Sequence, residues 1–262
     1  MKPFSFVHLT DTHIGPTRDY RRYGVPSYPC AERLIEIINA IPEQPAFVIH
    51  TGDVTTDGGP DSYRLAADLF ARLKAPLYYV PGNHDDPALM RRYLGAPAAS
   101  DGDPNAPLDY AFEVNGERFV ALDLRGPVDP GGHASEAQLR ALQAECTPDG
   151  PPLTLFIHYP PFAMHSPWLD AHMLIDNGEA LHAILRGARD RLRGVFFGHV
   201  HRSGQLVRDG ITYICANSAF SQFVWYPWTR QPETDHHHPP AYNHVHYLPG
   251  YMVVQQYTFP RP

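Results

Sequence analysis

Along the chain, short apolar runs alternate with helical periods, and each run stops at a polar loop. Phe4 to Thr10 carries β-branched and aromatic residues and ends at Asp11, which predicts a first strand. From Glu32 to Ile41, residues Leu34, Ile35, Ile37, Ile38 and Ile41 recur at nearly helical spacing until Pro42 stops them, and Ala46 to His50 is a second buried strand ending in Thr51-Gly52-Asp53. A helix over about Asp61 to Leu73, a strand Leu77 to Val80 and the loop Pro81-Gly82-Asn83-His84-Asp85 follow. Asn115-Gly116 predicts a hairpin through a type I′ turn, and Ser135 with Gln138 predicts a helix start through a capping box. Strand Leu153 to Ile157 ends at His158, and a helix comes around Glu179 to Arg186. Strand Val195 to Phe197 then runs into Gly198-His199-Val200-His201, and Gln205 to Ala216 predicts a hairpin at Asp209-Gly210. This alternation predicts an α/β fold, whose ligands bind beyond the carboxyl ends of the strands. The aspartates and histidines of interest all fall there.

The pattern fades after residue 219. Phe220 to Gly250 is rich in Trp, Tyr, Pro and His without a sustained period and reads as a long ordered loop or cap; Tyr251 to Phe259 reads as a terminal strand. The expected division is a main body over 1–219 and a cap segment over 220–262 belonging to the same domain.

Composition narrows the possible functions. Apolar residues make up 43% and charged residues 19% of 262, with 28 Pro and 20 Gly, so neither a disordered nor a collagen-like chain is expected. A net charge of −7 without a basic run excludes coating of a nucleic-acid backbone. Cys30, Cys146 and Cys215 are scattered, which argues against a disulfide framework and a thiolate zinc site and makes a reducing cytoplasm the expected compartment. No apolar stretch approaches the ~18–20 residues of a membrane span, and no signal peptide or membrane anchor is expected.

Sixteen histidines invite a search for metal-ligand spacing. Five loops offer Asp11 and His13; Asp53; Asn83 and His84; His158; and His199 and His201. These are oxygen and imidazole donors, suited to Mn, Fe, Zn or Co. One ion cannot use them all. A two-metal site accounts for the number if Asp53 bridges, with Asp11, His13 and His201 completing one shell and Asn83, His158 and His199 the other. Two dications with two carboxylates leave a positive site, attractive to phosphate, and paired ions promote in-line hydrolysis. His84, not needed as a ligand, is expected to stabilise the transition state or protonate the leaving oxygen, with Asp85 as its orienting partner.

This ordered series resembles the calcineurin-like metallophosphoesterase superfamily over about 200 residues. Within it, Gly52 to Asp85, His158 to Phe162 and Asp176 to Leu185 look like bacterial class III cyclic-nucleotide phosphodiesterases and glycerophosphodiesterases. The resemblance implies a four-layer α/β/β/α sandwich with a dimetal site at one end, attack on the phosphodiester by a metal-bridging hydroxide, and catalytic roles for Asn83 and His84. The protein-phosphatase branch carries a phosphate-gripping arginine after its metal aspartate; Val54 to Gly58 here lacks it, which speaks against a phosphoprotein substrate.

The expected function is a metal-dependent hydrolase of small phosphodiesters, a 3′,5′-cyclic nucleotide or a glycerophosphodiester. The alternatives are a phosphomonoesterase or nuclease of the same fold, or a non-catalytic protein-binding scaffold. His8 and His50 are expected to support the site rather than ligate, and His133, His172 and His182 to lie on the surface. Asp19 to Arg22 is read as a solvated loop, with the pocket mouth as its alternative. His236 to His238 and Asn243 to His246 are expected to be mostly exposed. His165, Trp225 and Trp228 are the candidate substrate contacts. Phe220, Phe223, Trp225, Tyr226 and Trp228 are expected to pack over the sheet end, narrow the pocket, or form a subunit contact in a homo-oligomer.

Overall fold

The computed structural model of the chain describes residues 2–99 and 102–262. It begins with β1 (Phe4–Leu9), a two-residue hairpin β2 (Arg21–Arg22) and β3 (Val25–Pro26), and α1 (Ser27–Asn39). Then come β4 (Phe47–His50), α2 (Pro60–Phe70), β5 (Leu77–Tyr79) and α3 (Pro87–Leu94). The hairpin β6 (Tyr110–Val114) and β7 (Glu117–Ala121) precedes α4 (Glu136–Glu145), β8 (Leu153–Phe156), α5 (Pro167–His172) and α6 (Gly178–Leu185). The chain closes with β9 (Leu192–Phe197), the hairpin β10 (Gly204–Arg208) and β11 (Ile211–Cys215), the short β12 (Gln222–Phe223) and β13 (Thr234–Asp235), and the long hairpin β14 (Ala241–Leu248) and β15 (Tyr251–Thr258).

Two mixed sheets face each other, one ordered β15-β14-β1-β4-β5 and the other β10-β11-β9-β8-β7-β6. Phe6 and Phe47 from the first sheet meet Phe119, Phe156 and Phe196 from the second in a common core. Phe6 and Phe47 stack at 4.9 Å, while Phe156 and Phe196 meet Phe6 edge-on at 5.7 and 5.4 Å. Successive residues of a strand point to opposite faces, so Val7, Leu9 and Val48 instead join α1 residues Leu34 and Ile38 on the outer side. Helices α4 and α6 cover the second sheet in the same way, through Leu142, Leu181 and Leu185. The result is the expected α/β/β/α order of layers. Truncating Phe6 to Ala would cost about 3–5 kcal/mol, the scale for a large aromatic side chain in a core.

β1, β4 and β5 run parallel, as do β7, β8, β9 and β11. Their carboxyl ends therefore open on one edge of the sandwich, and the donor loops gather there.

Several elements differ from the sequence reading. Helix α1 starts at Ser27 rather than Glu32, because Tyr28, Cys30 and Ala31 bury a further turn. Helix α3 was not anticipated, although Asp86 caps it through Leu89 N and Gly95 ends it in the left-handed region. The larger correction is β14. Residues 241–248, read as loop, form a strand inside the first sheet, paired antiparallel with both β1 and β15. Asn243 and His244 are accordingly buried rather than exposed, and Asn243 Nδ2 lies 3.3 Å from His8 Nδ1.

Candidate active site

The loops after β1, β4, β8 and β9 place polar side chains in two adjoining clusters, and the loop after β5 brings Asn83 and His84 to the cavity beside them. Asp11, His13, Asp53 and His201 each present one donor atom to the first, and Asp53, His158 and His199 to the second; within each cluster these atoms lie within 4.8 Å of one another. Asp53 belongs to both. Its Oδ2 is 3.4 Å from His13 Nε2 and 3.5 Å from His158 Nε2. Asp11 Oδ1 is 3.4 Å from His201 Nε2. All six side chains are buried.

Sharp turns create this convergence. Asp11, His13, Asp53, His199 and His201 have φ between 44° and 67°, a region that costs non-glycine residues about 1–3 kcal/mol each. Such strain persists only where the surroundings enforce it. Two glycines permit the close approach: Gly52 has φ of 100° and abuts the His158 ring, while any side chain at Gly82 would collide with the Asp53 carboxylate.

Outer partners orient the rings. His158 Nδ1 donates to the Thr51 carbonyl at 2.6 Å and His201 Nδ1 to the Ser221 carbonyl at 2.9 Å. A carbonyl only accepts, so Nδ1 carries a proton in each ring and Nε2 is the atom turned toward its cluster, a lone pair whenever that nitrogen is bare. Those atoms lie 3.0 Å from His199 Nδ1 and from His13 Nε2. Asp11 Oδ2 accepts from Thr10 Oγ1 and the His199 amide, and Asp53 Oδ1 accepts from the His84 amide. Asp11 Oδ1, His13 Nδ1, Asn83 Oδ1 and His199 Nε2 are buried with no hydrogen-bond partner among the described residues. Unpaired buried oxygens beside facing imidazoles fit a site that binds cations, and the mixed oxygen and nitrogen donor set fits a dinuclear divalent centre.

The electrostatics agree. Burial raises the Asp11 pKa to about 7 against the attraction of His158, with a smaller repulsion from Asp53 adding to the rise. Burial also opposes charge on Asp53 and His158, yet their mutual attraction prevails, holding Asp53 well below its ordinary value and raising His158 to about 9. Burial holds His13 and His199 well below their ordinary values and lowers His201 to about 3, leaving them neutral donors.

A cavity of about 190 Å³ opens over the clusters, lined by His13, Asp53, Asn83, His84, His199 and His201, with Arg22, Tyr23, Pro130, Trp168, Met173, Phe223 and Pro232 around them. It is smaller than the ~300–1,000 Å³ of a drug-sized site and has room for a group of phosphoryl size. A groove of about 880 Å³ beside Tyr226 and Trp228 is larger, but neither donor cluster lies in it.

The structure revises several surroundings of this site. Asp85 does not orient His84; its carboxylate accepts from Val54 N, Thr55 N, Gly82 N and Tyr63 Oη and so pins two donor loops together. His84 instead faces Arg22, whose Nη2 donates to its Nε2 at 3.1 Å, so Arg22 is a cavity residue rather than part of a solvated loop. His182 is buried rather than superficial, held between Tyr213 Oη at 2.6 Å and Asp209 Oδ2 at 3.0 Å. His8 and His50 stand outside the clusters and contact Thr51 Oγ1 and Thr12 Oγ1. His165, Trp225 and Trp228 do not line the cavity. Trp225 donates its indole N–H to the Met164 carbonyl and shares a separate surface groove with His165, and Trp228 is 71% exposed. Phe223 and Pro232 of the same segment line the wall instead.

The comparisons with known proteins agree with this geometry. The model of the calcineurin-like phosphoesterase family matches residues 4–203. A cAMP/cGMP dual-specificity phosphodiesterase of Mycobacterium tuberculosis is 32% identical over 224 residues, 82% of this chain and 67% of the relative. A glycerophosphodiester phosphodiesterase of Enterobacter lignolyticus is 26% identical over 197 residues, 74% of this chain and 70% of the relative. Among solved structures, a dimetal phosphatase from Danio rerio superposes with a TM-score of 0.71 at 18% identity, covering 99% of each chain, which is a likeness of fold.

Proposed function

Because the chain belongs to the calcineurin-like phosphoesterase family, we propose that its cavity hydrolyses small phosphodiesters, either a 3′,5′-cyclic nucleotide or a glycerophosphodiester. The observation that carries this reading is Asp53 Oδ2, set within 3.5 Å of imidazoles from both donor clusters. Asp11, His13 and His201 would hold one ion, Asn83, His158 and His199 the other, and Asp53 both. Ions so held supply positive charge and a nucleophile at neutral pH. The two relatives named above lend the two candidate substrates. No helix among the described residues is long and apolar enough to cross a membrane. The three buried free thiols accord with a reducing cytoplasm.

His84 lies outside both clusters but lines the cavity, and its amide braces Asp53. Arg22 is a donor only, so His84 Nε2 accepts in this arrangement, and for the ring to protonate a leaving oxygen that contact must open and Nε2 must first take up a proton. Asn83 turns its amide oxygen inward beside it.

The test is turnover of bis(p-nitrophenyl) phosphate, p-nitrophenyl phosphate, cyclic AMP and glycerophosphocholine by one sample of defined metal content. The synthetic diester should be hydrolysed, together with one natural diester. A chain holding two ions that cleaves none of the four would overturn the reading.

A further inference from the structure

We propose that Arg22 is a phosphate-binding residue of this cavity and that it extends the substrate range to dianionic phosphomonoesters. This rests on the phosphoesterase reading above and adds a residue and a second substrate class to it. Arg22 is delivered by the β2–β3 hairpin, whose turn residues Tyr23 and Gly24 have φ of 52° and 75°. Its guanidinium carbon lies 5.0 Å from the centroid of the Tyr23 ring, which itself meets Phe223 edge-on at 5.8 Å. From there Nη1 donates to Thr56 Oγ1 at 2.8 Å and Nη2 to His84 Nε2 at 3.1 Å.

The unusual feature is what Arg22 lacks. Other partly buried arginines meet carboxylates, as Arg118, Arg125 and Arg202 do, or are tied to several backbone carbonyls, as Arg91, Arg191 and Arg261 are. Arg22 has neither among the described residues: its three acceptors, Thr56 Oγ1, His84 Nε2 and Tyr23 Oη, carry no negative charge, and its Nε is buried without a hydrogen-bond partner. The cavity's carboxylate, Asp53, and Asp11 of the adjoining cluster both face imidazoles. A guanidinium stays charged at any working pH and offers a planar fork of donors that matches phosphate oxygens. Held at a partly buried wall without an anion, it is poised to accept one from the substrate. Coulomb attraction scales with the product of the charges, so this cation attracts a phosphomonoester dianion about twice as strongly as a diester monoanion.

The experiment compares wild type, Arg22→Met and Arg22→Lys as metal-loaded chains at pH 8. It measures calorimetric binding of inorganic phosphate and kcat/KM for p-nitrophenyl phosphate and its diester. Arg22→Met should weaken phosphate binding and lower monoester kcat/KM by roughly ten- to a hundredfold, the scale of a lost charge-assisted bond. Diester kcat/KM should fall by roughly the square root of that factor. Arg22→Lys keeps the charge without the fork and should fall between, and it carries the comparison if Arg22→Met loses metal. Unchanged phosphate affinity would overturn the proposal, as would equal losses on both esters, the mark of a residue that only positions His84. If no ester is hydrolysed, Arg22-dependent phosphate binding would uphold the binding role and overturn the substrate extension.

Discussion

Asp53 and Phe223 both face the cavity, but the chain brings them there by different means. Asp53 sits in a strained turn one residue after Gly52, three residues beyond β4, and its place follows from strand, turn and donor type. Phe223 sits on a two-residue strand in a segment without period, and only tertiary packing sets its ring 4.4 Å from that of His201, nearly parallel at 19°. The floor of the site is thus specified locally and repeatedly, once per strand, while the rim is specified by the path of distant segments. Substitutions in the floor should remove the chemistry, and substitutions in the rim should adjust its selectivity.

The largest effect tests the floor. Asp53→Ala should lose at least one ion per chain and reduce turnover roughly 10³-fold or more, beyond the ~10–100-fold typical of an outer partner. His84→Ala should lower turnover by roughly 10²–10⁴-fold while keeping both ions. Elemental analysis beside kinetics separates the two, and an Asp53→Ala chain retaining two ions and normal turnover would end the dimetal assignment. The His84→Ala loss should shrink for diesters whose leaving oxygen needs no proton; an equal loss would restrict His84 to charge stabilisation.

The same contrast explains what the sequence made legible. The donor loops and the turns at Asn115-Gly116 and Asp209-Gly210 rest on local signals, and each turn residue takes the positive φ its type requires, whereas the layer order followed from the family resemblance. β14 escaped because Asn243, His244 and His246 interrupt its apolar pattern; their burial depends on β1 and β15, more than a hundred residues away in one direction. Burial of His182 likewise depends on Tyr213, and the place of Arg22 on Thr56 and His84. Helix α3 is the opposite case, since Asp86-Pro87 and Gly95 were local signals available to be read.

A second prediction measures how strongly the floor prefers a cation. By protein groups alone, Asp11 titrates at about 7 and His158 at about 9, above their ordinary values, so both bind protons more tightly in the folded than in the unfolded chain. Without metal they therefore stabilise the fold fully only below their unfolded pKa values, and that stability is lost as pH rises through 7 and then 9. Metal binding needs both groups bare and must displace those protons. Metal affinity should rise roughly fiftyfold between pH 7 and 9 from His158 alone, because the bare fraction of a group with a pKa of about 9 grows from about 1% to about half over that interval. Stabilisation by metal in thermal melts should grow over the same interval. Titrations in buffers of different ionisation enthalpy should show protons released at pH 7. Affinity independent of pH would mean that the ion does not displace the His158 proton.

The smallest effect tests the rim, and it separates two aromatic residues five positions apart. Phe223 is buried, stacks on His201 and lines the cavity, so Phe223→Ala should widen the wall and raise KM for the preferred small diester by about tenfold, at the low end of the loss for a buried aromatic contact. Bound metal should be unchanged, because the His201 ring keeps its bond to the Ser221 carbonyl. Trp228 stacks only on Tyr226 among the described residues, at 5.1 Å, and is largely in water. Trp228→Ala should therefore leave kcat and KM within about a factor of two, as expected of a surface change within ±0.5 kcal/mol. Sedimentation of the same variant reads the other role open to an exposed aromatic pair. If Trp228→Ala dissociates an oligomer while kinetics stay constant, the outer part of the segment serves assembly and its inner part, from Phe223, serves selection. If Trp228→Ala raises KM as much as Phe223→Ala does, the substrate reaches past the cavity onto the Tyr226–Trp228 stack, and the wall of the site extends along the whole segment.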